Sequence, residues 1–406
     1  MTTAPAAATD PNGDPRRVLA VRLDSDGDVL MNGPAVAALR TGPGGGRAER
    51  VDLLASRGGA AAGRLLPEVD EVLVADVPWA GYHPPAPDAE RLSALVELLR
   101  ERHYDEVVVF TSFHQSPLPM AVVARLAGVP RVVGASEDYP GSLLDLRHRR
   151  VGDPDGTGGQ HEAVASLGLV AATGRAVPAD PRLALRRPLP ALPDDLAVEL
   201  GDDLGAGRCV VLHPGASVPA RAPQPRVAAA AGAALAAAGW RVVVTGGPGE
   251  RDLTAEVAAA AGGAAAGVVD AGGRTDLAQL AALLDAAAVV VVGNTGPAHL
   301  AAAVGTPVAS LFSAVMPLER WAPFGVPVAV LGDLSAPCAL SRAQVCPVAG
   351  HPCLEVAPQD VVDAVGELAA GRVEVHPPLA QRTPTLPGAA AGRGAAGGPA
   401  GAEQAL

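Results

Sequence analysis

The sequence of 406 residues contains no lysine, and arginine accounts for all 31 of its basic residues. Chemistry that needs a lysine, such as a Schiff base or the phosphate-binding lysine of a P-loop, is therefore excluded. Aromatic residues make up only 2% of the chain. The cores must consist of small aliphatic side chains packed between helices and sheets, which favours an α/β protein over a β-sandwich.

The sequence also lacks long apolar runs and an excess of basic over acidic residues. No stretch has the length of about 20 apolar residues that a membrane-spanning helix needs, and residues 1–16 lack the apolar segment of a signal peptide. We therefore expect a cytoplasmic protein with at most peripheral membrane contact. The net charge of −12 argues against nucleic acid as a partner. Four cysteines fit a reducing compartment.

Short apolar runs alternate with helical stretches along most of the chain, which predicts βαβ units and mostly parallel sheets. A turn-rich, proline-rich passage interrupts this alternation, so the pattern indicates two doubly wound halves with a cleft between them. We predict a disordered tail at 1–16, a first domain at 17–185, a linker at 186–205, a second domain at 206–375 and a disordered tail at 376–406.

Three aspartates follow the first predicted strand, in the sequence LDSDGDVL: Asp24, Asp26 and Asp28. They could form a solvated turn with a helix N-cap, or the nucleophile motif of a haloacid dehalogenase-type phosphohydrolase with Asp24 as nucleophile. A third reading makes one carboxylate a general base toward a hydroxyl. A calcium loop is excluded, because its twelfth position holds Ala35 in place of a glutamate.

Two turns in the second half are candidate anion sites. The sequence VVVVGNTGPAH places Asn294, Thr295 and Gly296 between a strand and a helix, with His299 in the first helical turn. The free backbone N–H groups and the positive end of that helix suit a diphosphate. The sequence LHPGASVPAR is either a second phosphate-binding turn containing Arg221 or a proline-rich connector with a surface arginine.

A late cluster contains Cys338, Cys346, His351 and Cys353. These four side chains could complete a tetrahedral zinc site, but their spacings do not match the usual paired ligands. Structural packing or a disulfide is the favoured interpretation. Cys209 lies in a predicted buried strand, where we expect it to be inert.

Taken together, these segments resemble glycosyltransferase family 9, the relatives of ADP-heptose:lipopolysaccharide heptosyltransferases. The resemblance spans about residues 17 to 372 and keeps the order of five motifs: RLDSDGDVLMNGPAVAALR, LHPGAS, TGGPGE, DAGGRTDLAQLAALL and GNTGPAHLAAAVGTPVASLF. It implies a GT-B fold, in which two Rossmann-like domains, one for the acceptor and one for the nucleotide sugar, face each other across a cleft. It also implies inverting transfer with no required metal or other cofactor.

The resemblance implies roles for individual residues. Asp28 matches the catalytic aspartate that takes the proton from the acceptor hydroxyl, and Glu250 matches an acid near the nucleoside ribose. The other positions that match the donor side are Arg22, Ser217, Arg221, Asn294, Thr295, Gly296 and His299. Asn294 replaces the family's usual aspartate, and Ala222, Pro223 and Gln224 follow PAR where relatives commonly have Arg-Trp-Pro.

The expected function is transfer of a sugar, with heptose as the candidate, from a nucleotide-diphosphate sugar to a hydroxyl of a glycan or glycolipid. Alternatives are the phosphohydrolase and a nucleotide-sugar-binding protein without turnover. Asp24, Asp26 and His161 are the acceptor-side candidates, together with the loops at 79–87 and 135–160.

Overall fold

The protein is described here as a computed structural model that covers residues 13–150, 159–373 and 375. The first half contains a parallel six-stranded sheet with the order β3-β2-β1-β4-β5-β6. Its strands are β1 (Arg17–Arg22), β2 (Arg50–Ala55), β3 (Val72–Val74), β4 (Glu106–Val109), β5 (Arg131–Ala135) and β6 (Leu146–His148).

Helices connect these strands: α1 (Asp26–Met31), α2 (Gly33–Ala38), α3 (Ala60–Leu65), α4 (Ala89–Arg102), α5 (Leu118–Leu126), α6 (Glu162–Ala172) and α7 (Asp194–Leu200). Asn32 ends α1 and begins α2. Pro34 lies in the first turn of α2, where the missing N–H of proline costs no hydrogen bond. The side chain of Asp88 caps α4 by accepting from the backbone N–H groups of Glu90 and Arg91.

The second half repeats the same parallel order, β12-β11-β10-β7-β8-β9. Its strands are β7 (Cys209–His213), β8 (Arg241–Val244), β9 (Val268–Asp270), β10 (Val289–Gly293), β11 (Val308–Leu311) and β12 (Val328–Leu331). Its helices are α8 (Pro225–Ala237), α9 (Arg251–Ala260), α10 (Leu277–Ala286), α11 (Gly296–Val304), α12 (Leu318–Trp321) and α13 (Pro358–Ala369).

Both sheets are buried on their two faces by helices, and their strands are runs of valine, leucine and alanine. The four valines of 289–292 are completely buried. This composition confirms the predicted α/β fold with two doubly wound, Rossmann-like halves. In each half the strand order reverses beside the first strand, so ligands are expected at the carboxyl ends of β1 and β4, and of β7 and β10.

Some details differ from the sequence expectation. The turn-rich passage contains the short strand β6, and the predicted linker at 186–205 contains α7. Asp14, inside the predicted tail at 1–16, is buried and accepts hydrogen bonds from the backbone N–H groups of Gly44 and Gly46 at 2.7 Å each. Residues 1–12, 151–158 and the predicted tail at 376–406 lie outside the described residues. Across the described ranges, no helix has the length and apolar character that crossing a membrane requires.

Candidate active site

The N-terminal ends of α1 and α11 meet where the two halves face each other. A Cβ atom added to Gly27 in α1 would lie 3.1 Å from the Cα atom of Gly296 and 3.0 Å from Cδ2 of His299. The two helix ends can therefore approach so closely because glycine has no side chain. Asp28, the residue after Gly27, and the GNTG turn before α11 consequently belong to one site, although more than 260 residues separate them in the chain.

The carboxylate of Asp28 is held from two sides. Its Oδ1 accepts a hydrogen bond from Nη2 of Arg22 at 3.1 Å, and its Oδ2 accepts one from Oγ of Ser25 at 2.8 Å. Burial opposes ionisation of this carboxyl, but Arg22 and the Ser25 hydrogen bond outweigh burial and lower the pKa of Asp28. The group is therefore ionised at neutral pH, as a proton acceptor must be.

Arg22 is itself locked into a closed ring of polar contacts. Its Nε lies 3.0 Å from Oδ2 of Asp24, and its Nη2 donates to Oγ of Ser112 at 2.7 Å. Gln115 closes the ring, because its Nε2 donates to Oδ1 of Asp24 at 2.7 Å and its Oε1 accepts from the Ser112 backbone N–H at 2.9 Å. This network holds the guanidinium, and through it the carboxylate of Asp28, while Nη1 of Arg22 has no hydrogen-bond partner among the described residues.

Arg22, which matches the donor side of the family, is completely buried and contacts the carboxylates of Asp24 and Asp28 in its own domain. Its role toward the donor stays a prediction. Ser112 and Gln115 were missed by the sequence analysis. Their signal was present, because both follow β4, whose carboxyl end adjoins that of β1.

The other two aspartates of the motif have different surroundings. Burial raises the pKa of Asp24 more than Arg22 lowers it, and both of its carboxylate oxygens are engaged by Arg22 and Gln115. Asp26 accepts a hydrogen bond at 2.9 Å from the backbone N–H of Ala62, in the first turn of α3. Asp28 interacts electrostatically with His299 of α11, and its neighbour Gly27 contacts the start of that helix.

Buried polar atoms without a hydrogen-bond partner collect at the start of α11. Of the buried polar atoms that lack a hydrogen-bond partner in the described residues, Nδ2 of Asn294, Oγ1 of Thr295 and Nδ1 of His299 lie at this helix start, and Nε of Arg221 is another. Thr295 is the N-cap residue of α11, so the free backbone N–H groups of the first helical turn point the same way. Because an unpartnered buried polar atom is costly, such a group of atoms indicates a missing polar ligand.

His299 is neutral at physiological pH. Burial, together with the nearby His161, lowers its pKa from an ordinary value of 6.5 to about 4. A neutral imidazole carries one N–H donor and one acceptor nitrogen, so His299 can donate a hydrogen bond without adding positive charge. The positive charge of this part of the site comes from Arg221 and the helix end.

Arg221 and Glu250 extend the site along the second sheet. Arg221 lies in a 3₁₀ turn, and its carbonyl oxygen would be only 2.5 Å from a Cβ atom added to Gly293 at the end of β10. Glu250 accepts from the Gly247 backbone N–H at 2.7 Å, and its Oε2 lies 3.9 Å from Nε2 of His213. Both residues therefore lie at the carboxyl ends of the central strands, whereas Ser217 is exposed in the turn before Arg221.

The match to a family model decides the identity of the chain. The model described as glycosyltransferase family 9 (heptosyltransferase) matches residues 92–350, which is more than half of the sequence. The chain belongs to glycosyltransferase family 9. It is therefore a glycosyltransferase, and the resemblance noted from its motifs is confirmed.

Curated relatives match a short part of this family 9 protein. Lipopolysaccharide heptosyltransferase 3 of Escherichia coli is 41% identical over 81 residues, and that of Escherichia coli strain K12 is 40% identical over the same length. The alignments cover 20% of this chain and 24% of each relative. The match thus spans about a quarter of the length of these relatives.

Solved structures match nearly the whole fold. The E. coli ADP-heptose LPS heptosyltransferase II aligns with a TM-score of 0.65 at 18% identity, covering 88% of this chain and 99% of that one. A family 9 glycosyltransferase from Veillonella parvula aligns with a TM-score of 0.67 at 16% identity, and the alignment covers 88% of this chain and 97% of that one. E. coli heptosyltransferase WaaC with ADP aligns with a TM-score of 0.57 at 19% identity, and the alignment covers 87% of this chain and 99% of that one. These likenesses show the GT-B fold.

His161, an acceptor-side candidate, is instead a contact between the domains. Its Nδ1 accepts from the backbone N–H of Ala163, and its Nε2 lies 2.8 Å from the carbonyl oxygen of Ala322 in the second half. The ring is buried and stacks at a tilt against Phe324, with centroids 4.8 Å apart. Both nitrogens are occupied by the protein itself, so this side chain has no free polar atom for an acceptor.

The cysteine cluster does not form the zinc site that was considered as an alternative. Within the described residues, no group of three or more His, Cys, Asp or Glu side chains is arranged to hold a metal ion. The cysteines there are free thiols, so the disulfide alternative is also wrong for this structure. Cys338 and Cys353 are buried, as packing requires, and burial raises the pKa of Cys338 to about 11. Burial has the same effect on Cys209, whose pKa is also about 11, which leaves it a poor nucleophile.

We expect Gly27→Ala to reduce the rate of sugar transfer on the order of tenfold or more, because its methyl group must push α1 away from α11 and a small misplacement of reacting groups is costly. Steady-state transfer rates measure this effect. Gly366→Ala in α13 is the control, since its Cβ would meet no atom within 4 Å. Equal rates for Gly27→Ala and the parent protein would contradict the close approach of the two helices.

We expect His161→Gln to weaken the acid sensitivity of the fold. Burial lowers the pKa of His161 to about 4 in the folded protein, against an ordinary value of 6.5. The unfolded chain therefore binds the proton first, and stability falls as the pH drops below about 6.5. This linkage amounts to about 2 kcal/mol between pH 7 and pH 5. Glutamine does not titrate and retains an N–H donor for Ala322.

Urea unfolding at the two pH values measures this difference, with His83→Gln at an exposed position as the matched control. The idea fails if His161→Gln and the parent protein lose the same free energy of unfolding on acidification.

Proposed function

We propose that the protein is an inverting glycosyltransferase that moves a heptose from a nucleoside-diphosphate sugar to a hydroxyl of a glycan or glycolipid. ADP-heptose is the proposed donor. The observation that carries this proposal is the position of the ionised Asp28 directly opposite the unpartnered polar atoms at the start of α11. In support, E. coli heptosyltransferase WaaC, a fold relative at 19% identity with a TM-score of 0.55, has been solved with ADP-2-deoxy-2-fluoro heptose.

The donor diphosphate would bind at the N-terminal end of α11. The backbone N–H groups there, Oγ1 of Thr295, Nδ2 of Asn294 and a neutral His299 are donors that lack partners, and phosphate oxygens are the acceptors that suit them. Arg221 supplies a full positive charge through a free Nε–H. Asn294 is held in place because its Oδ1 accepts from the Ser313 backbone N–H at 3.2 Å, which leaves its amide nitrogen free for the ligand.

The nucleoside would extend toward Glu250. This carboxylate lies over the ends of β7 and β8, beside Gly215, where any Cβ would collide with it. A carboxylate at this position can accept hydrogen bonds from the two ribose hydroxyls. Ser217, exposed in the turn before Arg221, is a further donor for a phosphate oxygen.

The reaction is a single displacement at the anomeric carbon. The acceptor oxygen attacks from the face opposite the diphosphate, the bond from the anomeric carbon to the diphosphate oxygen breaks, and the acceptor proton passes to Asp28. The configuration therefore inverts. The low pKa of Asp28 makes it a weak base toward a free hydroxyl, so proton transfer accompanies attack, when the oxygen becomes acidic.

Arg221 and the N-terminal end of α11 stabilise the negative charge that develops on the departing diphosphate. The proposal consequently requires no metal ion. The phosphohydrolase and the binding protein without turnover are not retained, because the chain is a member of a glycosyltransferase family.

We expect Asp28→Asn to lower the transfer rate on the order of 10² to 10⁴, the usual contribution of a positioned base. Nucleotide affinity stays near that of the parent protein, because the donor groups lie on the second domain. Transfer kinetics and calorimetric ADP binding measure the two effects. Asp363→Asn, on the exposed surface of α13, is the control. Undiminished turnover of Asp28→Asn would refute the role of this residue.

A thermal-shift comparison of ADP, GDP, UDP and their sugars tests the donor. We expect ADP and ADP-heptose to raise the melting temperature most, because a ligand at about 100 times its Kd stabilises the folded state by about 2.7 kcal/mol. A larger shift with GDP or UDP would show that the proposed base is wrong, and no shift with any diphosphate would remove the proposed donor site.

A further inference from the structure

We propose that Tyr82 is a positioning residue for the donor site: it reaches across the cleft from the first domain and orients the guanidinium of Arg221 so that its Nε–H faces the diphosphate. This inference rests on the proposed function, since it assumes that Arg221 binds a phosphate. None of the sequence motifs includes Tyr82.

The loop that carries Tyr82 is suited to holding a fixed shape. It runs from the end of β3 to the start of α4 and contains four prolines, at 78, 84, 85 and 87, which restrict its backbone. Gly81 directly precedes Tyr82 and has a φ angle of +92°, a left-handed conformation that glycine adopts readily. At the base of the loop, Oδ1 of Asp76 accepts from the Arg57 backbone N–H at 2.9 Å.

The contact between the two residues is specific. Nη2 of Arg221 donates to the hydroxyl oxygen of Tyr82 at 2.9 Å, and the guanidinium carbon lies 5.9 Å from the centre of the tyrosine ring. At its other end, Arg221 is fixed by the backbone, because its carbonyl oxygen lies against Gly293. The arginine is therefore held at both ends, while its buried Nε has no partner within the described residues.

The phenol of Tyr82 remains protonated. Partial burial raises its pKa, and this outweighs the lowering by the cation of Arg221. Its oxygen can accept from Arg221 while its proton is directed elsewhere. Tyr82 thus connects the first domain, which holds Asp28, to the cation of the donor site. Loss of the hydroxyl should loosen Arg221 and leave the proton acceptor intact.

The test is a double-mutant cycle with Tyr82→Phe, Arg221→Ala and the double variant. We expect Tyr82→Phe to raise the Kd for ADP and the donor KM about fivefold to tenfold, as loss of a partly exposed hydrogen bond to a charged group would. The kcat should stay within about twofold of the parent value, as expected for lost binding that is equal in ground and transition states. In the Arg221→Ala background, the same change should have no further effect. Val198→Ala, at a side chain on α7 that is 82% exposed, is the control.

Two results overturn the proposal. The first is an ADP affinity and a donor KM that do not change in Tyr82→Phe. The second is a loss of ADP affinity from Tyr82→Phe that is equally large with and without Arg221, which indicates a role in loop packing. In both cases the wild-type protein still binds ADP, so the proposed function survives. If the wild-type protein binds none of ADP, GDP and UDP by calorimetry, this inference and the proposed donor site fail together.

Discussion

The contact between Gly27 and Gly296 is the constraint on which the rest of the site depends. It brings together the first turns of two helices from different domains, with no side chain between their backbones. The N-terminal end of α11 then presents free N–H groups and a partial positive charge to the same space that the Asp28 carboxylate faces. The Asp28 carboxylate and the polar atoms at the start of α11 thereby belong to one site, as the proposed transfer from a diphosphate requires.

Buried charge maintains this geometry from the side of the first domain. The cation at this position is an arginine, Arg22, in a chain that has no lysine. Its planar guanidinium contacts Asp24, Asp28 and Ser112 together. A lysine ammonium could not span these partners with the same fixed directions. The ring through Gln115 pairs the guanidinium with the carboxylates of Asp24 and Asp28, so it holds the carboxylate of Asp28 in place.

Contacts between the domains fix how the two halves face each other. His161 meets the Ala322 carbonyl oxygen, and the buried Glu162 next to it pairs with Arg320 at 3.4 Å. Arg187 donates to both oxygens of Asp285, at 2.6 and 2.8 Å. Since the site is divided between the domains, these contacts act on its geometry. Tyr82 differs from them because it contacts Arg221, a donor-site residue.

Sequence patterns alone determined the two doubly wound halves, through the periodicity of the apolar runs, and the family, through the order of the motifs. Both can be recognised from the sequence because local patterns and sites of close backbone approach depend directly on residue type. Asp28, Asn294, Thr295 and His299 were predicted in this way, since each follows a strand where ligands collect. Tertiary structure alone decided that Arg22 supports a carboxylate, that His161 joins the domains, and that Tyr82 meets Arg221. These roles depend on pairs of residues distant in the chain, and a sequence pattern carries no information about which distant side chains fold into contact.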